Sequence, residues 1–392
     1  MSDTRFLCKR CWRRPTLAET YYRCPECGQA AALDDWLTPQ AADGLRPTAD
    51  LLRGSRWNLA AGESAGVRCP DHPESALRLF CPCQEFLPPR SHLQRGDSLG
   101  LGFVGPHGAG KTVMILTMVQ ALQQLPGPDA FTPRVGLLGL GDTETTFQKL
   151  ADELRAGVKP GGTTPESALL AEPAVDGAAR NFCWELTLNG ARRSRRWGFL
   201  AIYDVAGESW GQGADQPLEV LDRYLEICTS LVFLVDGATV ARDLGLSVQD
   251  AWDPNRRAGD QGAADREWLG RLLDRLQPER SARSRLALVV SKADLLWQDE
   301  RWQALRPSST ATEEEDPERQ AALESTLAAL LRESGRGQLL TMASGHFHEV
   351  RPFAASSLGF TPTAALLEGK QLKEPPRPVG VVEPILWLLE GR

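Results

Sequence analysis

No run in the 392-residue chain approaches the ~20 consecutive apolar residues of a membrane span, and the opening MSDTRFLCKR lacks an apolar signal core. The sequence therefore predicts a cytoplasmic protein with no membrane span. Positive charge is not in excess either: the net charge is −7. That balance argues against non-specific nucleic-acid binding by the whole chain and leaves it only to a local basic module. There is no G-x-S-x-G elbow, no pair of histidines at helical spacing and no nuclease motif, so hydrolase chemistry of those kinds is excluded. Cysteine is scarce over most of the length. Seven of the nine lie before residue 84, and the other two, Cys183 and Cys228, read as core residues rather than nucleophiles. What remains is ordinary for a globular protein of two or three domains, with 42% hydrophobic and 24% charged residues.

The most informative stretch is GPHGAGKT, residues 105–112, between an apolar run and a helical pattern over 113–125. A strand, a glycine-rich turn and a helix in that order point backbone N–H groups and a helix N-terminus at phosphate oxygens. Gly105, Pro106, His107, Gly108, Ala109 and Gly110 would form the cradle, Lys111 would add charge, and Thr112 would offer a hydroxyl to Mg²⁺.

The early cysteines fall into two clusters. Cys8-x-x-Cys11 and Cys24-x-x-Cys27 have the spacing of a zinc ribbon, four thiolates giving Zn²⁺ a closed tetrahedral shell. Cys69, His72, Cys81 and Cys83 have the ligand types of a second zinc site, with His92 an alternative for one position. In chain order these readings give a zinc ribbon over 1–32, a linker over 33–66, a second zinc knuckle over 67–95, and a nucleotide domain over 96–392 with insertions near 238–262 and 298–319. The basic residues around the first knuckle could touch nucleic acid or an acidic protein, and protein docking suits the acidic whole better.

Further motifs lie along the nucleotide domain. Thr163 and Thr164 sit on a Gly/Pro-rich loop where a threonine can give its hydroxyl to Mg²⁺ and its N–H to a γ-phosphate; Thr143, Thr145 and Thr146 compete for that role. Residues 181–188 and 197–203 read as strands joined at Asn189-Gly190. The second ends in Asp204-Val-Ala-Gly207-Glu208, where the aspartate can hold the water shell of Mg²⁺ and the glycine N–H can meet the γ-phosphate. Residues 230–236 and 286–290 read as buried strands, the latter ending in Ser291-Lys292-Ala293-Asp294. There a carboxylate can accept from guanine N1–H and N2–H₂, which adenine cannot supply. A last strand over 348–354 ends in Ala355-Ser356-Ser357, whose N–H groups can face guanine O6, and a closing helix lies within 381–389.

The order GPHGAGKT, threonine loop, DVAGE, SKAD and AASSLG resembles the small GTPases of the TRAFAC class. Within it, the cysteine clusters, the long switch loop and the ending VVEPILWLL are similar to the bacterial double-GTPase family of conflict and defence systems. The resemblance implies an α/β P-loop fold, Ras-like, with a mostly parallel sheet and one antiparallel edge strand. It also implies GTP and GDP binding, Mg²⁺, Zn²⁺ in the amino-terminal modules, and partner proteins that read or regulate the switch. Lys111, Thr164, Gly207 and Glu208 would serve turnover; Ser291, Lys292, Asp294, Ser356 and Ser357 would serve the base. His107, Glu208 and Ser291 depart from the Ras-like glycine, glutamine and asparagine or threonine, so the sequence supports binding more directly than rate. Two alternatives stand beside this reading. A STAND- or AAA-type ATPase would prefer ATP, and a zinc-based nucleic-acid binder with a weak nucleotide fold would show steep salt dependence.

Overall fold

In the computed structural model, residues 19–24, 26–28, 30–31, 68–69, 71–76, 78–82, 97–106, 108–124, 134–139, 143–156, 180–190, 193–204, 225, 228–248, 261–276, 284–306, 317–362, 367–368 and 371–390 are described. The stretch 33–66 read as a linker falls outside them, as does all but Ala156 of the loop 156–167 that carries Thr163 and Thr164.

The amino-terminal part is built from short strands. Strand β1 (Tyr21–Arg23) lies between β2 (Ala30–Ala31) and, after β3 (Arg68–Cys69) and β4 (His72–Ala76), β5 (Arg78–Phe80), antiparallel to both. Strands β3 and β4 form a separate hairpin in which Cys69 stands opposite His72. Tyr21 stacks on Phe80 across the β1–β5 ladder, with ring centroids 5.7 Å apart.

A seven-stranded sheet forms the body. Its chain order is β6 (Asp97–Val104), helix α1 (Lys111–Gln124), β7 (Arg134–Gly139), α2 (Thr143–Arg155), β8 (Arg180–Gly190), β9 (Arg193–Asp204), β10 (Ser230–Asp236), α3 (Gly237–Asp243), α4 (Gln261–Arg275), β11 (Arg285–Ser291), α5 (Pro317–Glu333), α6 (Gln338–Ser344), β12 (Glu349–Ala354), β13 (Leu367–Glu368), β14 (Gln371–Leu372) and α7 (Glu383–Glu390). The spatial order is β12-β11-β10-β6-β9-β8-β7. Strands β12, β11, β10, β6 and β9 are mutually parallel, and β8 is antiparallel to both neighbours. The single antiparallel strand expected from the sequence is present, but it stands one place in from the edge. The reason is β7, which pairs with its outer side along six residues.

Sequence explains the central strands directly. Every residue of β10 (SLVFLVD) is buried, as a parallel strand covered on both faces requires. Alternate residues face opposite ways: Leu231, Phe233 and Val235 join the core formed with α3, α4, α5 and α6, whereas Val232 and Leu234 join the core formed with α1, α2 and α7. In the second core Phe147 of α2 meets Phe182 and Trp184 of β8 edge-on, at centroid distances of 6.0 and 5.5 Å. Trp387 of α7 lies against Phe353, and the guanidinium groups of Arg285 and Arg351 lie 5.1 and 5.3 Å from its ring centroid.

The hairpin differs from its sequence reading. Asn189 and Gly190 are the last residues of β8 rather than the turn, because Gly190 pairs with Arg193. The stretch 238–262 opens with buried helix, Ala238, Val240 and Ala241 having no exposure. Helices α3 and α4 are tied together by Arg336, fully buried, whose Nε donates to Asp265 (2.7 Å), Nη1 to Asp243 (2.6 Å) and Nη2 to the Thr239 hydroxyl (3.0 Å). On the far rim, Pro352 sits within β12, the outermost strand, where a missing N–H is tolerated.

Candidate functional site

All five parallel strands end on one edge of the sheet. The chain goes from β6 by way of β7 and β8 to β9 on one side, then crosses to β10 on the other. Such a reversal opens a crevice at the carboxyl ends of the strands, and the loop after β6 lies there.

That loop is shaped by its glycines. Gly105 (φ +147°) approaches β10 so closely that a Cβ would lie 2.6 Å from the carbonyl oxygen of Leu234. Gly108 and Gly110 also have left-handed φ, +74° and +86°. The loop curls back on itself: the Ala109 N–H donates to Pro106 O, and the Lys111 ammonium donates to Gly105 O (2.9 Å) and Pro106 O (3.1 Å). Lys111 is buried, so its charge is spent inside the loop mouth. It opens α1, which has no acidic residue in its first turn and thus presents an uncompensated positive helix end. Thr112 follows, half-buried. Strand β9 sets Asp204 opposite Phe103, two residues before Gly105.

Two strands away, β11 ends in the SKAD residues. Asp294 is buried, and both carboxylate oxygens are held: Ser356 Oγ donates to Oδ1 at 2.5 Å and Thr361 Oγ1 to Oδ2 at 2.9 Å. Ser356 is itself fixed, its Oγ accepting from the Gly359 N–H at 2.8 Å and its backbone bridging to Val379. The Ala293 N–H donates to Ala355 O, which locks the β11 and β12 loops together. Lys292 has the left-handed φ of +50°, and its ammonium lies 3.4 Å from the carboxylate of Asp236, a residue with no exposure at the end of β10. Ser291 Oγ donates to Val235 O at 3.1 Å, so serine still braces this loop to β10 where the Ras-like residue would be asparagine or threonine. Gly237 permits that approach, since a Cβ there would lie 2.0 Å from Ser291 O.

A buried carboxylate fixed by two hydroxyls, a left-handed lysine beside it and a glycine-rich loop thus lie on one edge of the sheet. Comparison with known proteins supplies the family. The family model Double-GTPase 2 matches residues 100–359, about two-thirds of the chain. The chain belongs to the Double-GTPase 2 family. It is accordingly a GTP-binding switch and a GTPase. Among solved structures it is similar to the Arl6 (BBS3) small GTPase of Trypanosoma brucei determined with the nucleotide analogue GppNp, at 13% identity and a TM-score of 0.28, over 75% of this chain and 96% of that one. No curated protein matches it.

In this double-GTPase the structure brings together the cradle around Gly105, Lys111 and Thr112 on one side of the crevice, and Ser291, Lys292, Asp294, Ser356 and Ser357 on the other. His107, Thr163, Thr164, Gly207 and Glu208 lie outside the described residues. Thr143, Thr145 and Thr146 lie in α2, whose Phe147 is part of the core. Sequence reasoning passed over Asp236, Gly237 and Thr361. Asp236 closes an apolar run and could have been noticed as a carboxylate at a buried strand end; Thr361 belongs to no motif.

Of the residues read as zinc ligands, Cys8, Cys11, Cys83 and His92 also lie outside the described residues. Cys24, Cys27 and His72 gather into one group whose ligand atoms all lie within 4.8 Å of one another. The group crosses the division into two clusters that the sequence suggests. Cys81, buried after β5, is not part of it. No described helix is long and apolar enough to cross a membrane.

Proposed function

We propose that the switch holds GTP between the 105–112 loop and the SKAD and AASS ends of β11 and β12, with Asp294 selecting guanine. The observation that carries this is the double clamp on Asp294: hydroxyl donors on both oxygens fix the carboxylate, while each oxygen retains a lone pair for the base. A carboxylate so placed accepts from N1–H and N2–H₂ of guanine, and adenine would leave it unpaired. Lys292, held by Asp236, lays its stem along the base. Ser356 and Ser357 offer backbone N–H to O6.

At the other end, Lys111 and the loop amides cradle the β- and γ-phosphates. Thr112, Thr163 or Thr164, and Asp204 are oxygen donors suited to a hard cation. When bound, Mg²⁺ supplies positive charge to the phosphate oxygens. Gly207 N–H meets the γ-phosphate and Glu208 orients water. Loss of the γ-phosphate releases the loops that these residues occupy, and a protein partner reads the change. The amino-terminal segment is a zinc module for partner docking, a reading supported by the Cys24–Cys27–His72 group. The setting is cytoplasmic, where thiols stay reduced, and the place in a bacterial conflict or defence system rests on the family resemblance of the sequence.

Nucleotide titration of the wild type and Asp294→Asn with GTP, ATP and xanthosine triphosphate tests the base site. Two hydrogen bonds to a charged group are worth about 1.5–3 kcal/mol each, so the variant should lose about 10²-fold or more in GTP affinity. It should gain for xanthosine triphosphate, whose C2 carbonyl accepts from the new amide. Wild-type preference for ATP, or a variant with unchanged GTP affinity, overturns the assignment.

A further inference from the structure

Two stretches of the amino-terminal part share a sequence pattern, Cys24-Pro-Glu-Cys27 and Cys69-Pro-Asp-His72, and the structure brings Cys24 and Cys27 of the first to His72 of the second. Sγ of Cys24 lies 3.7 Å from Nδ1 of His72, and Cys27 completes a trio within 4.8 Å. A tetrahedral Zn²⁺ with Zn–S near 2.3 Å and Zn–N near 2.0 Å separates its ligand atoms by about 3.5–3.8 Å, so the Cys24–His72 distance is already one edge of such a shell.

The backbone accounts for the meeting. Strand β1 pairs with β5, Arg23 opposite Arg78, which delivers Cys24 to the segment that carries His72. The turn after Cys24 closes through the Gly28 N–H donating to Cys24 O, with Gly28 at the left-handed φ of +73°. Across the β3–β4 hairpin, Cys69 is the register partner of His72, with only Pro70 and Asp71 between them. Backbone register thus places Cys69 beside one member of the trio.

We propose that one Zn²⁺ is held by Cys24, Cys27, Cys69 and His72, a ligand set drawn from both cysteine clusters. This rests on the reading of the segment as a zinc module and changes its wiring: a shared metal joins the clusters, and Cys8 and Cys11 have no place in the shell with Cys24 and Cys27. Three thiolates and one imidazole close the coordination sphere, so the site takes no substrate. It staples together residues 48 apart in sequence, Cys24 and His72, in a part of the chain whose strands are two to five residues long.

The test uses the full chain. Zinc content is measured for wild type, Cys24→Ala, His72→Ala and the double variant. If Cys24 and His72 share a metal, the double variant loses no more zinc than either single variant; if they belong to separate sites, it loses one equivalent more. Because ligand removal can unfold the segment, a second measurement keeps the wild-type sequence: chelator is added in limiting amount and the released thiols are alkylated and mapped by mass spectrometry. Cys24, Cys27 and Cys69 becoming labelled together is the expected result. Labelling of Cys24 and Cys27 together with Cys8 and Cys11 overturns the ligand set while leaving zinc in place, and a wild-type chain without zinc overturns the zinc reading itself.

Discussion

At the scale of single residues, the base end of the pocket depends on hydroxyls more than on charges. Thr361 donates to one oxygen of Asp294 and serves no other partner in the clamp. Thr361→Val keeps the shape and removes the donor, so GTP affinity should fall about 5- to 30-fold, the weight of one hydrogen bond to a carboxylate made imperfect by water, with ATP affinity unmoved. Fluorescent-nucleotide titration reads both. Ser356→Ala should cost more, because the same oxygen also accepts from the Gly359 N–H. Arg336 makes the opposite case, since its value is structural. Removing it strands Asp265 in the core, and Arg336→Leu should destabilise by about 3–5 kcal/mol in urea unfolding. Arg336→Lys should not rescue, because one ammonium cannot reach Asp265, Asp243 and Thr239 in the geometry that three guanidinium nitrogens now span.

Among the elements, the contact between the end of β10 and the SKAD loop is the tightest joint of the site. Gly237→Ala places a Cβ 2.0 Å from Ser291 O, against backbone that cannot rotate away. The loop must shift, and both thermal stability and GTP affinity should drop in the same variant, an outcome checked by melting with and without GTP. A variant that lowered stability alone would show that the joint does not position Lys292. Helix α7 gives a contrasting case: Trp387→Ala should cost about 3–5 kcal/mol in unfolding with little change in nucleotide affinity, since its ring faces Phe353, Arg285 and Arg351 rather than the crevice. Elements of this kind were the most readable in the sequence. The strands ending at Asp236 and Ser291 are unbroken apolar runs, and such runs have few ways to be buried. The β8–β9 hairpin was harder. Asn189-Gly190 carries a strong turn signal, yet eleven- and twelve-residue strands pair past it, because ladder hydrogen bonds over that length outweigh a local preference. Thr361 was not legible, since it belongs to no motif and reaches Asp294 from 67 residues away. Spacing divides the cysteines and His72 into two clusters, whereas the gathering of Cys24, Cys27 and His72 depends on which strands pair, and spacing alone carries no record of that.

For the molecule as a whole, two cores on opposite faces of one sheet hold the nucleotide domain, whereas the described amino-terminal residues contribute only Tyr22, Cys24, Leu79 and Cys81, which join the first of those cores. A zinc chelator should therefore raise hydrogen exchange in residues 19–31 and 68–82 and leave the amides of β10 and β11 protected. Equal loss of protection throughout would show that the two parts unfold together. The edges of the large sheet bear on assembly as well. An edge strand normally offers a row of unmet amides on which another chain can zip. The rim formed by Glu349–Ala354 has Pro352 in its middle, so a visiting strand would find a gap where it needs a donor. Whatever this switch recruits should then be gripped through side chains and loops, and not by lengthening its sheet on that flank.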